Sequence, residues 1–274
     1  MTPEAIEQLE LALLFEALFR RYGYDFRHYS KASARRRVLL QVKEEGVASI
    51  SHLQHRVLHD EAAADRLVQR LSINVTEMFR DPPFFREIAD TVLPTLRNAE
   101  HIKIWHAGCA TGEELYSMAI LLVEAGLYDR CRLYGTDFNK EVLKRAERGI
   151  FPLTTMRDNS RNYHAAGGSS SLSEHMHANY DHAVIDSRLK RNTLFAPHNL
   201  ATDASFGEMN MIVCRNVLIY FEQQLQERVI GLFLDSLVEG GMLCLGSHET
   251  LLTSTHAERF SVVSGSRRIY RKKG

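Results

Sequence analysis

The feature that most constrains this chain is a change of hydrophobic period after the segment "DPPFF". From Ile102 onward, short apolar runs alternate with longer stretches of helical period. The runs are "IKIWHAG", "CRLYGTD", "NTLFAPH", "MNMIVCR" and "GMLCLGS"; the stretches are "EELYSMAILLVEAG", "KEVLKRAERG" and "EQQLQERVIGLFLDSLVEGG". Runs that are short and apolar throughout predict strands buried on both faces. A parallel pair of strands needs a crossover long enough to hold a helix, so the alternation predicts an α/β fold: a doubly wound parallel sheet covered on both sides. Near the end, "RFSVVSG" and "RRIYRKK" flank a Gly-containing turn and predict a hairpin that adds an antiparallel strand at one edge. Between Phe151 and Leu194 the period dissolves into a polar, Gly-Ser-rich stretch, an insertion with a flexible start.

Everything from Pro3 to Leu71 has helical character. Leu9, Leu13, Phe15 and Leu18 recur near the 3.6-residue period, "ASARRRVLLQVKEEG" ends at Gly46, and Asp60 is placed to cap "EAAADRLVQRLS". Acids interrupt the apolar residues of the first segment, so it reads as an amphipathic helix and not as a secretion signal. Lys+Arg and Asp+Glu number 34 each, so the overall charge points to neither nucleic acid nor a membrane surface. One local asymmetry exists: Arg20, Arg21, Arg27, Lys31, Arg35, Arg36, Arg37 and Lys43 face a single acid, Asp25, before Glu44. Such a face is either solvated and internally paired or a docking surface for an acidic partner. No apolar run is long enough to span a bilayer. Cys109, Cys131, Cys214 and Cys244 lie in apolar runs without CxxC spacing, which fits reduced thiols of a cytoplasmic chain with neither disulfide nor zinc.

The stretch "IWHAGCATGEELYS" follows a strand with a glycine turn and opens a helix. Gly108 and Gly112 allow close approach of a ligand to the backbone. The turn lacks the GK[ST] ending of a phosphate loop and the three-glycine dinucleotide spacing. Glu113 and Glu114 stand where a pyrophosphate would sit. About two dozen residues later Asp137 ends the next strand, where doubly wound folds place an acid on ribose hydroxyls. A ribose without phosphates, carrying cationic groups, describes S-adenosylmethionine; a nicotinamide cofactor stays open as the alternative. The junction "LSINVTEMFRD" brings Asn74, Thr76 and Arg80 together, either as a ligand cleft or as a cap and a packed helix. "MIVCRNVLIYFE" sets Arg215, Asn216 and Tyr220 at the carboxyl end of a strand. His248 and Glu249 follow another strand as a possible pair. His164, His175, His177 and His182 lack the carboxylate or cysteine company of a structural metal site, so no metal is expected.

Taken in order and spacing, "SINVTEMFRD", "WHAGCATGEELYS", "GTDFN", "IVCRNVLIYF" and "LCLGSHET" resemble the CheR-type chemotaxis receptor methyltransferases, which are protein-glutamate O-methyltransferases. Leu115 replaces a frequent proline, "MFR" replaces "FFR", and "GSHE" replaces "GHSE". The resemblance implies a seven-stranded methyltransferase sheet, an all-helical N-terminal domain and a small β-rich insertion. The domains are then 1–72, with a basic docking face; 73–98, a linker and helix contributing to the cofactor pocket; and 99–274, with the insertion at about 154–198. It implies that S-adenosylmethionine is held by Asn74, Thr76, Arg80, Gly108, Glu113, Asp137, Asn199, Leu200, Arg215 and Asn216, and that S-adenosylhomocysteine is the product. Arg80 and Tyr220 would lie nearest the transferred methyl, and Arg35, Arg36 and Arg37 would dock the substrate. The implied partner is the cytoplasmic helical bundle of a chemoreceptor or a related signalling protein. Methylation of a small carboxylate and noncatalytic sensing of the donor are the rival readings.

Overall fold

The computed structural model describes residues 1–72 and 75–274. The chain forms two compact units: residues 1–73 with 199–203 and 219–229, and residues 74–198 with 204–218 and 230–274.

In the first unit, helix α1 (Pro3–Tyr22) starts at Thr2, whose hydroxyl accepts the Ala5 N–H at 3.3 Å, and stops at Gly23 in the left-handed conformation. Its buried stripe is Leu11, Leu14, Phe15 and Leu18; Leu9 and Leu13, which share the 3.6-residue period, lie on the outer face. The period finds the helix, whereas the neighbouring helices decide which apolar stripe is covered. Helices α2 (Lys31–Glu44), α3 (Ile50–His59) and α4 (Glu61–Leu71) follow. Asp60 caps α4 by accepting the Ala62 N–H at 3.0 Å. Two segments from far along the chain belong to this unit. The Tyr220 carbonyl accepts the Ser30 N–H at 2.8 Å, the Glu222 N–H donates to the His28 carbonyl at 2.8 Å, and the Phe221 ring lies edge-on to Tyr29. Arg228 donates to the carbonyls of Ala201 and Asp203 at 2.7 and 3.2 Å. The helical unit is therefore more than residues 1–72.

Among the described residues the second unit is built on ten strands: β1 (Ile102–Ala107), β2 (Cys131–Asp137), β3 (Ile150–Pro152), β4 (Met176–Asn179), β5 (His182–Ile185), β6 (Thr193–Pro197), β7 (Met209–Cys214), β8 (Leu237–Leu245), β9 (Phe260–Ser264) and β10 (Ile269–Lys272). Seven form one sheet in the order β6-β2-β1-β7-β8-β10-β9. The first five are parallel, and the hairpin of β9 and β10 joins antiparallel to β8. Ile104 of β1 sits opposite Leu133 on one side and Met211 on the other, so β1 is fully enclosed. Its opposite face carries Trp105, whose indole N–H donates to Thr136 Oγ1 at 2.8 Å, with Phe206 and Phe233 packed edge-on. Helix α5 (Pro82–Glu87) precedes the sheet, α6 (Glu113–Glu124) follows β1, and α7 (Lys140–Arg148) follows β2.

Strands β3, β5 and β4 form a separate antiparallel sheet. It begins at Ile150, and β6, inside the range given to the insertion from sequence, is the edge strand of the large sheet. The polar stretch also holds a helix, α8 (Met156–Ala165), where the sequence suggested irregular chain. Its signal is weak because few of its residues are apolar; Tyr163 is fully buried, and its ring packs 5.2 Å from that of Phe79.

Candidate functional site

In a doubly wound sheet the crevice opens at the carboxyl edge where neighbouring connections leave in opposite directions. Here that point lies between β1, which leads to β2 on one side, and β7, which leads to β8 on the other. The turn after β1 is tight: the Thr136 carbonyl accepts the N–H groups of Gly108 and Cys109 at 2.8 and 2.9 Å, and the Gly112 N–H returns to the Cys109 carbonyl at 3.0 Å. Gly108 and Gly112 have φ of 74° and 92°. A Cβ on Gly108 would come within 2.5 Å of a Val217 methyl, so glycine is required both for its conformation and for the approach of the two turns.

Asp137, at the end of β2, is buried. Its two oxygens accept the N–H groups of Asn139 at 2.9 Å and Ala110 at 3.2 Å. Burial pushes its carboxyl up to about 6, against the pull of those backbone bonds. Glu113, the first residue of α6, is raised by burial too, while the Thr111 hydroxyl, donating at 2.7 Å, acts in the opposite sense. Glu114 takes a different course. Burial would raise it, but His106 Nδ1 at 3.1 Å and Arg215 Nη1 at 3.0 Å hold it below the ordinary range. Two adjacent acids thus do separate work, Glu113 lining the turn and Glu114 anchoring an internal ion-pair network.

Arg80 lies in an irregular stretch with two left-handed residues, Phe79 (φ 53°) and Asp81 (φ 59°). Such a conformation in a phenylalanine persists only where surroundings enforce it. The enforcement is visible on three sides. The Met78 N–H donates to Asn159 Oδ1 and the Met78 carbonyl accepts from Asn162, both at 3.2 Å. The Phe79 N–H donates to Ser117 Oγ at 2.8 Å. Arg215 donates to the Arg80 carbonyl at 3.2 Å and pairs with Asp81. The Arg80 side chain is half-exposed and donates to the Val75 carbonyl at 3.1 Å. Thr76 occupies the same stretch.

After β7, Asn216 is left-handed (φ 61°), and the buried Glu249 carboxylate collects the N–H groups of Asn216, Val217, Leu218 and Gly246 at 2.6–3.1 Å. Burial raises Glu249, and the four backbone bonds oppose it. Glu249 therefore fixes the shape of the turn facing Gly108, while His248 is exposed.

Of the residues expected from sequence, the second unit carries Thr76, Arg80, Gly108, Glu113, Asp137, Arg215 and Asn216. Asn199, Leu200 and Tyr220 belong to the first unit, where Asn199 Oδ1 accepts the Ala201 N–H at 3.0 Å and Leu200 is buried. Asn74 lies outside the described residues. The arginine triplet on α2 is uneven. Arg35 pairs with Glu7, Arg37 is half-buried with Nη1 on the Arg70 carbonyl, and Arg36 is exposed with no ion-pair partner among the described residues. Arg36 and Arg37 line a groove of about 530 Å³ with Arg66 and Arg70. Burial pushes all four cysteine thiols up, which leaves them protonated and poor nucleophiles.

Sequence reasoning missed Ser117, Asn159, Asn162 and the clamp role of Glu249. A pair of amides three residues apart on a polar helix was the available signal for Asn159 and Asn162; for Ser117, nothing local distinguishes it from a helix hydroxyl.

Comparison with known proteins gives this architecture a family. Residues 74–269 match the CheR methyltransferase SAM binding domain, and residues 9–72 match the CheR methyltransferase all-alpha domain. The Pseudomonas putida protein Cher3 is 47% identical over 272 residues, covering 99% of this chain and 100% of Cher3. Chemotaxis protein methyltransferase 1 of Vibrio cholerae is 32% identical, covering 72% of this chain and 71% of that protein. The chemotaxis protein methyltransferase of Listeria monocytogenes is 27% identical, covering 84% and 86%. A family match over more than half the length, on a seven-stranded sheet with an all-helical N-terminal unit, establishes that this chain belongs to the CheR family of S-adenosylmethionine-dependent methyltransferases.

Proposed function

We propose that this protein transfers a methyl group from S-adenosylmethionine to glutamate side chains on the cytoplasmic helices of a chemoreceptor, forming methyl esters. The observation that carries the donor assignment is the turn from Gly108 to Glu113 with Asp137 beside it. A buried and a half-buried carboxyl, a tight glycine turn and no lysine on the loop suit a ribose and a cationic substituent and oppose a pyrophosphate. Thr76, Arg80, Gly108, Glu113, Asp137 and Asn216 are assigned to the donor, together with Asn74, Asn199 and Leu200 as the family resemblance implies. Arg215, expected in that set, has both terminal guanidinium nitrogens on protein partners.

The chemistry asks little of acid–base catalysis. When bound, the donor supplies a methyl carbon on a sulfonium; a carboxylate oxygen forms the new C–O bond as the C–S bond breaks and its electron pair returns to sulfur. A glutamate carboxylate with an ordinary pKa of about 4.3 is already ionised at neutral pH, so no general base is required. What the protein contributes is orientation and exclusion of water, since opposite charges neutralise each other as the bond forms. Arg80, half-exposed on a backbone held from three sides, is assigned to orienting the substrate carboxylate, and Tyr220 is assigned to the same task.

Support for an acidic protein substrate comes from the α2 face, where Arg36 is exposed with no ion-pair partner among the described residues. The test is transfer of labelled methyl to receptor cytoplasmic fragments, followed by mild alkali. Alkali-labile label released as methanol is the expected outcome. Donor binding without label on any receptor fragment would favour the noncatalytic sensing module, and label on a small carboxylate alone would redirect the substrate class.

A further inference from the structure

We propose that Arg215 is a positioning residue for this reaction: its side chain acts on the substrate-orienting Arg80 through the backbone of Arg80 and Asp81, and that side chain does not bind the methyl donor. The proposal rests on the assignment of Arg80 made above.

The geometry is that of a brace. The Arg215 side chain is only 2% exposed. Nη1 donates to the Arg80 carbonyl at 3.2 Å and to Glu114 Oε2 at 3.0 Å, Nη2 donates to the Asp81 carboxylate, and Cζ sits 4.1 Å from the centre of the Phe84 ring. Three of these four contacts fall on residues 80–84. The fourth anchors the brace to α6, where Glu114 is itself held by the fully buried His106 of β1. The guanidinium thus ties the ends of β1 and β7 and the start of α6 to one short stretch of irregular chain.

Charge argues the same way. One guanidinium faces two carboxylates, Glu114 and Asp81, so its positive charge is already offset and none is left for the carboxylate end of a donor. Only Nε is buried without a hydrogen-bond partner among the atoms of this side chain, and a single bond from Nε to the donor is the competing role that an experiment must separate. The stretch it holds needs holding: Phe79 and Asp81 are both left-handed, a conformation whose cost packing and hydrogen bonds must offset. An arginine suits this task where a lysine does not, because its planar fork reaches a carbonyl and two carboxylates at once.

The test uses the full-length protein with Arg215→Lys and Asp81→Asn. Four quantities are read: thermal midpoint, affinity for S-adenosylhomocysteine by calorimetry, methyl transfer at saturating receptor fragment, and hydrogen exchange of the amides of Phe79, Arg80, Asp81 and Phe84. For Arg215→Lys the expectation is a turnover loss of about 30-fold or more, with product affinity within about threefold and exchange faster at these four amides. A fall in product affinity parallel to the fall in turnover would make Arg215 a donor contact and overturn the proposal; so would unchanged exchange. Should Arg215→Lys fail to fold, Asp81→Asn decides. Its carboxylate is half-exposed, so the fold is expected to survive with a turnover loss of about 3- to 10-fold and faster exchange. Wild-type turnover and exchange in Asp81→Asn would sink the brace. If the wild-type protein methylates no receptor fragment, the substrate assignment fails, while the affinity and exchange arms still judge the brace.

Discussion

Arginines do opposite things in two regions of this molecule. At the carboxyl edge of the large sheet Arg215 is buried, pinned by two carboxylates, a carbonyl and a phenyl ring. On the α2 face of the helical unit Arg36 is exposed, beside Arg35, which pairs with Glu7 at the surface. Removing charge from water is costly and is tolerated only with full partnering, so a buried arginine defines shape. An exposed one is screened within about 10 Å at ordinary salt and changes association more than architecture. The contrast separates an arginine that builds the site from one whose proposed role is to bring a partner to it.

Glu114→Ala should give the largest effect, because it strands Arg215 and His106 together. Breaking a buried pair by removing one partner costs about 3–5 kcal/mol, to be read as a lowered midpoint in chemical denaturation. A loss below about 1 kcal/mol would place the network among surface-like pairs and erase the contrast. Next comes Arg80→Ala. Loss of in-line placement should lower turnover about 100-fold while donor affinity falls only a few-fold, and turnover equal to wild type would remove Arg80 from the mechanism.

A smaller effect concerns pH. Asp137 carries a folded pKa of about 6 against an ordinary 3.8. Between those values the folded state keeps a proton that the unfolded state has lost, so this group's contribution to stability falls as pH rises through the window and levels above 6. A carboxylate that accepts from ribose hydroxyls should bind the donor better once ionised. Affinity for S-adenosylhomocysteine should therefore rise up to about tenfold from pH 5 to 7, about fivefold of it by pH 6, and flatten above, and Asp137→Asn should abolish the slope. Last comes Arg36→Glu, a rise of about 3- to 10-fold in receptor KM that disappears at high salt, with donor affinity unmoved. Arg35→Glu should do less than Arg36→Glu, since Glu7 already offsets it.

Much of the fold was legible because it rests on local periods. Short apolar runs and helical stretches gave the strands and crossovers of the parallel sheet, Asp60 announced the start of α4, and the Gly-containing turn announced the hairpin of β9 and β10. The turn from Gly108 to Gly112 was visible as well, since positive φ and close approach each demand glycine. Helix α8 was not, for its buried contacts are one tyrosine and two asparagines whose partners lie about 80 residues earlier.

The sequence by itself determined which elements form, where the chain turns tightly and where acids stand at the carboxyl edge, because each is decided by residues within a few positions of one another. Tertiary structure decided which of two adjacent glutamates lines the turn and which pairs with Arg215 from 101 positions away. It also decided that Glu249 closes the turn after β7, and that segments 199–203 and 219–229 belong with the helical unit. The two segments join through hydrogen bonds and a ring contact between residues far apart in the chain, and for the glutamates the reason is charge. A buried charge takes whichever partner the packed chain brings to it, and no local rule of sequence fixes that partner.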